Sequence, residues 1–289
     1  MFAERLDRAR AVMADRDVDV MVLSVGADLP YFCGYEAMPL ERLTLLVVPR
    51  GGDASLIVPF LEAPRVVERP DVFDVVSWKD GDDPIALATN LIGAAGRVAV
   101  GDQTWAGFLV DLSAELPDTR FVRASDVTAP IRSVKGAAEV EALRAAGAAV
   151  DRIAAQIQGG EIPLVGRTEA DVSAHIGRRI VEEGHQKVNF AIVASGPNAA
   201  SPHHDAGDRV MRSGEAVLFD FGGTMADADG VGYCSDITRC VHIGEPAPGF
   251  AELYEVLYAS HSAGVAAATV GTPCEAVDAA ARGVIEDAG

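Results

Sequence analysis

Positions 217–241 read VLFDFGGTMADADGVGYCSDITRCV: two apolar runs, each carrying one acid, joined by a turn rich in Gly and Asp. The acids are Asp220 and Asp236. Side chains alternate across a strand, so Asp220 shares a face with Leu218 and Ala216, and Asp236 with Cys234, Thr238 and Cys240. If the runs pair as a hairpin through residues 222–230, both carboxylates can converge on one face of the sheet. Carboxylates in apolar strands are costly to bury without something positive beside them. Arg239 points to the face opposite Asp236 and is a poor partner within its own strand. A divalent metal is then the attractive cation, because hard oxygen ligands favour Mn, Mg, Co or Zn over copper or thiolate chemistry. A single strand aspartate is more often a satisfied structural acid; the pair on neighbouring strands is what points to a metal.

Working outward, residues 194–209, ASGPNAASPHHDAGDR, have the Pro, Asn, Gly and Ser of a loop. Adjacent His203 and His204 precede Asp205 and Asp208. A hydrolase that activates water on a metal needs a proton donor, and histidine is the usual choice. Without the nearby aspartates the pair would read as solvated loop histidines, and His175, His185, His242 and His261 read as structural or exposed. A helix opens at Thr168, with Asp171 three positions on in a capping arrangement. Before it, 136–157 is strongly helical, with Val140, Leu143, Gly147, Val150 and Ile157 as its apolar stripe. Strands are expected at 188–194, 215–222 and 231–243, and helices at 250–269 and 272–288. Thr272 is the expected cap of the last helix, with Pro273 in its first turn and Glu275 closing the box. This half is α+β, its helices packed on an antiparallel sheet.

The first half alternates differently. Amphipathic 2–15 is followed by strands at 18–25, 43–49 and 55–59, a helix at 83–96, a strand at 97–102 and a helix at 104–116. That interleaving indicates an α/β layer domain. No GxGxxG follows any of these strands and no P-loop is present, so a nucleotide role is unsupported. The stretch ASDVTAPIRSVK, 124–135, has a proline and little periodicity and marks a boundary, giving domains 1–127 and 128–289.

Composition bounds the partners. Over 289 residues, 43 acids against 24 bases give a net charge of −19, a surface that repels phosphate backbones and argues against nucleic acid. No apolar run is long enough for a membrane span, and MFAERLDRARAVM lacks the order of a signal peptide, so the cytoplasm is expected. Cys33, Cys234, Cys240 and Cys274 are scattered without CxxC spacing, which favours reduced, partly buried thiols over a disulfide framework or zinc knuckle.

The strings FDFGG, SDITR and SGPNAASPHH resemble those of the pita-bread metallopeptidases, the creatinase/prolidase/aminopeptidase P family. The resemblance runs from about residue 130 to the end, and IRSVKGAAEVEALRAA is similar to the family's entry into its catalytic domain. The first 125 residues resemble its creatinase-like N-terminal domain more loosely. The resemblance implies a pita-bread catalytic domain and a metal-dependent Xaa-Pro peptidase, of dipeptidase or aminopeptidase P type. Such an enzyme cuts the bond before proline in short proline-containing peptides with metal-activated water. It further implies divalent ions, Mn first with Co or Zn as alternatives, and a homodimer. Residue by residue, it makes Asp220 and Asp236 metal ligands and His203 the catalytic group for proton transfer, with His204 beside it on the substrate.

Two departures qualify this. The hairpin is longer than the family's, with residues 225–230 resembling an insertion. The family also completes its site with a His and two Glu further on, whose strings do not occur here, so the catalytic domain is expected to be incomplete. Two carboxylates cannot balance two divalent ions, so at most one metal, weakly held, and poor activity are expected. A metal-free creatinase-like amidinohydrolase is one alternative, which retention of both aspartates counts against. A non-catalytic pita-bread binding module or fragment is the other.

Overall fold

The computed structural model describes all 289 residues. They form two compact units, Met1–Ala146 with Thr224–Cys234, and Gly147–Gly223 with Ser235–Gly289.

The first unit opens with helix α1 (Phe2–Asp15), which buries Phe2, Leu6, Ala9 and Met13, the stripe its 3.6-residue period predicts. Strands β1 (Val20–Leu23), β2 (Leu45–Pro49), β3 (Ala54–Pro59), β4 (Phe73–Trp78), β5 (Arg97–Val100) and β6 (Arg120–Arg123) make one mixed sheet in the order β4-β3-β2-β1-β5-β6. Helices α2 (Asp28–Cys33), α3 (Pro84–Ile92), α4 (Ala106–Glu115) and α5 (Ser125–Ser133) complete the α/β layer. The sheet is covered on both faces. Met21, Leu23, Leu46 and Val48 enter one core cluster, while Val20, Val22, Leu45 and Val47 enter the other. This is why these strands read as unbroken apolar runs instead of alternating ones. Helix α3 starts where the Asp83 carboxylate accepts from the Ile85 and Ala86 amides, with Pro84 in the first turn.

Segment 124–135, which reads as an aperiodic boundary, is largely the helix α5, with Pro130 inside it. Tertiary contacts outweigh the proline: Val127 and Ile131 are buried, and Asp28 takes Thr128 Oγ1 at 3.0 Å and Arg132 Nη1 at 2.6 Å.

Helix α6 (Ala137–Gln158) buries Ala146, Ala149, Val150, Ile153, Ala154 and Ile157, but Val140 is exposed and Glu139 turns inward in its place. Glu139 Oε1 lies 3.1 Å from the buried guanidinium of Arg5, which also reaches Tyr31 O at 2.9 Å and Tyr233 Oη at 3.1 Å. The first turn of the helix therefore follows a buried charge, not the apolar stripe.

The second unit contains helix α7 (Glu169–Glu182), strands β7 (Lys187–Ser195) and β10 (Ile237–His242) and most of β8 (Ala216–Ala226); the end of β8 and all of β9 (Gly232–Cys234) belong to the first unit, and β9 and β10 both pair antiparallel with β8. The order is β10-β8-β7, with β9 pairing β8. Val172, Ile176 and Ile180 of α7 share a core with Val217, Phe219 and Phe221 of β8. Thr168 caps α7 as expected, its side chain accepting from the Asp171 amide at 3.1 Å. The run 231–243 is two strands, broken at Ser235 and Asp236. Helices α8 (Phe250–Ala267) and α9 (Cys274–Ala288) pack on one another. Thr272 does not cap α9; its hydroxyl pairs with that of Thr269 at 2.8 Å, and Pro273 takes the cap position without a side-chain bond.

All four cysteines are unbridged; burial pushes the Cys33 thiol up to about 12. No helix is long and apolar enough to cross a membrane.

Candidate metal centre and histidine loop

In the β8–β10 ladder Thr238 stands opposite Asp220 and Ile237 opposite Phe221. Beyond the break, Cys234 stands opposite Thr224. The register is the same on both sides, so Asp236 falls across from Gly222. Residues opposed in an antiparallel ladder share a face, which puts Asp220, Thr238 and Asp236 on one side of the sheet. The hairpin keeps this register along its length. Of residues 225–230, Met225 and Ala226 end β8 opposite Tyr233 and Gly232, and the rest form the β8–β9 turn, where Asp227 Oδ1 accepts from the Asp229 and Val231 amides, both at 2.9 Å. Thr238 Oγ1 donates to Asp220 Oδ1 at 2.9 Å.

Two glycines make this approach possible. A Cβ on Gly222 would meet the Ser235 carbonyl, 2.9 Å from its carbon, and one on Gly223 would lie 2.6 Å from Lys187 O and 2.8 Å from Ile180 Cγ2. Ser235, just before Asp236, is buried, with Oγ 2.9 Å from His185 Nε2 and 3.2 Å from the Gly223 amide. Burial lowers the His185 pKa, which favours the neutral ring. With Nδ1–H donating to Ile180 O at 3.2 Å, Nε2 accepts from the Ser235 hydroxyl, which in turn accepts from Gly223. His185 is structural, and it pins the backbone from which Asp236 projects.

Asp220 is half-buried and Asp236 exposed, yet the Asp236 carboxyl is held above its ordinary value, first by partial loss of hydration, then by the charge of Asp220 and a hydrogen bond to it. No arginine relieves the pair. Arg239 Nη1 donates to Thr238 O at 2.8 Å, and its nearest acid is Asp151 at 3.9 Å. Two hard-oxygen ligands on one face, repelling each other and lacking a cation, fit part of a divalent-metal ligand set. No group of three or more His, Cys, Asp or Glu side chains gathers in a metal-binding arrangement, so these residues offer two ligands and no more.

The histidine loop is built separately. After β7 the chain makes a 3-10 turn, Gly196–Ala200, and reaches Pro202, His203 and His204. His203 is exposed. His204 is half-buried, with Nε2 2.7 Å from Glu169 Oε2. Glu169, wholly buried in the first turn of α7, also accepts from the Ser195 amide at 2.7 Å, Ser195 Oγ at 2.6 Å and Asn198 Nδ2 at 3.1 Å. Burial alone would raise this carboxyl; the hydrogen bonds from Ser195, His204 and Asn198 outweigh it and bring the pKa down to about 2. Arg209 Nη1 donates to Ser195 Oγ at 2.7 Å and to Glu215 Oε2 at 2.9 Å, extending the network behind the loop. Thus the structure brings Asp220 and Asp236 together, and it couples His204, not His203, to a carboxylate. Sequence reasoning missed Glu169. Its signal was there: the residue lies in phase with Val172, Ile176 and Ile180 on the buried stripe of α7, where a charge demands a partner.

The chain is thus a two-unit protein, an α/β N-terminal unit and a unit carrying a sheet hairpin with paired acids, and comparison with known proteins identifies its family. Residues 5–134 match the creatinase/prolidase N-terminal domain, and residues 140–289 match metallopeptidase family M24. The chain is 41% identical over 293 residues to the probable dipeptidase PepE of Mycobacterium tuberculosis, covering 100% of this chain and 76% of that one. Among solved structures it is similar to dipeptidase PepE from Mycobacterium ulcerans, with 38% identity, a TM-score of 0.84, and coverage of 100% of this chain and 77% of that one. It is also similar to a prolidase from Thermococcus sibiricus, with 28% identity, a TM-score of 0.90, and coverage of 100% and 78% respectively. The chain belongs to the metallopeptidase family M24 and has its two-domain pita-bread fold.

Proposed function

We propose that this protein is a Xaa-Pro peptidase that hydrolyses the bond before proline in short peptides. The observation that carries the reading is the pair Asp220 and Asp236, on one face, without a cationic partner and with Asp236 held above its ordinary pKa. The names of its relatives, dipeptidase and prolidase, support the substrate class. Asp220 and Asp236 would hold a divalent ion, Mn first. Once bound, such an ion supplies Lewis-acid activation of water. The chain's own residues do the rest. Thr238 orients Asp220 by its hydrogen bond, and the Gly222–Ser235 approach fixes where Asp236 projects. Exposed His203 donates a proton to the proline nitrogen as it leaves, and His204 positions the substrate beside it.

Calorimetric titration with Mn(II) and assay on Xaa-Pro dipeptides test this together. One weak Mn(II) site is expected, with both binding and hydrolysis lost in Asp220→Ala. Undiminished binding or cleavage in that variant would sink the assignment, and two tight sites would refute the two-ligand count.

A further inference from the structure

Five hydrogen bonds converge on the buried carboxylate of Glu169, from the Ser195 amide, Ser195 Oγ, Asn198 Nδ2 twice and His204 Nε2. A fully buried charge is poor value for stability, since well-packed apolar side chains of similar volume usually do as well or better. This one sits on the apolar stripe of α7, where the neighbouring inward residues are Val172, Ile176 and Ile180. What it does, and a leucine could not, is hold one segment of chain at three points. Ser195, Asn198 and His204 bracket the loop, and Pro197 and Pro202 restrict the backbone between the ties. His203 lies between a proline and an anchored histidine.

The donor count also decides a protonation state. With its oxygens occupied by donors, Glu169 stays an acceptor, so the proton in the 2.7 Å contact belongs to His204 Nε2. In the neutral ring the lone pair is then confined to Nδ1. A carboxylate that fixes the tautomer and orientation of a histidine is the arrangement by which proton-transfer groups are set in place.

We propose that Glu169 is a positioning residue for the histidine pair: it fixes His204 as the Nε2–H tautomer and sets the place from which His203 works. The second half of this rests on the peptidase reading; the first does not.

The tautomer is read directly by long-range 1H–15N correlation spectra of the 15N-labelled protein, with the His204 signals assigned by their loss in His204→Phe. A single Nε2–H tautomer is expected in the wild type, giving way to the mixed signature of a free imidazole in Glu169→Gln. Glu169→Asp, which keeps the charge, should restore the single tautomer at least in part. On Xaa-Pro dipeptides Glu169→Gln should lower kcat roughly 10- to 100-fold, as removal of an orienting partner typically does, with KM little changed. A wild-type His204 that already shows mixed tautomers overturns the proposal, and so does a Glu169→Gln protein that keeps the single one. If Glu169→Gln fails to fold, the wild-type and Glu169→Asp spectra still decide it. Because the spectra need no turnover, failure to cleave Xaa-Pro bonds would remove the peptidase reading and leave the Glu169–His204 assignment standing.

Discussion

Gly222→Ala tests the claim that backbone proximity, not strand preference, holds Asp236 in place. The added methyl carbon would land on the Ser235 carbonyl oxygen, 2.9 Å from the Ser235 carbonyl carbon and 3.2 Å from Asp236 Cα. All three neighbours are main-chain atoms, so no side-chain rotation can make room. Overpacking costs about 1–3 kcal/mol where neighbours can adjust. Here the backbone itself must withdraw, so the upper end, about 3 kcal/mol, is expected. Gly147→Ala is the control. That glycine lies inside α6, with nothing within 4 Å of its would-be Cβ. Removing its backbone freedom should stabilise the helix by about 0.5–1 kcal/mol. Urea unfolding of the three proteins, with equal m-values as the condition for comparing midpoints, reads both signs in one experiment. A Gly222→Ala protein within about 0.5 kcal/mol of wild type, less than any real overpacking cost, would refute the geometry argued for the hairpin. So would a Gly222→Ala protein whose Mn(II) binding is unchanged.

Two further predictions follow from buried charges. Glu139→Ala leaves the guanidinium of Arg5, a residue only 4% exposed, without its carboxylate, and should cost about 3–5 kcal/mol in urea unfolding, whereas a loss below about 1 kcal/mol would show the pair to be dispensable. The folded-state pKa of Glu169, about 2, lies below its ordinary value of 4.5. Its contribution to stability is therefore fully present above about pH 4.5 and is lost as pH falls toward 2. Thermal melts between pH 5 and 3 should show a shallower fall in Tm for Glu169→Gln than for wild type; parallel curves would contradict the shift.

Much of this molecule was written in local chemistry. Period-two alternation set the face of Asp220 and of Thr238 opposite it, because a strand leaves a side chain no other choice once the register is set, and Asp236, in the break between β9 and β10, follows the register that both strands share. The cap at Thr168 was legible for the same reason, as it depends on residues within one turn. So was the burial of β1 on both faces, which its unbroken Val-Met-Val-Leu run announces. The tertiary structure decided what depends on distant partners. Asp28 reaches across about a hundred residues of chain to hold α5 through its proline, |i−j| being 100 to Thr128 and 104 to Arg132. Arg5 draws Glu139 inward and turns Val140 out. Glu169 finds His204, 35 residues on, and so selects which of two adjacent histidines is anchored. A buried charge must be paired, but sequence spacing does not say with what; only the folded chain brings the donor within 3 Å.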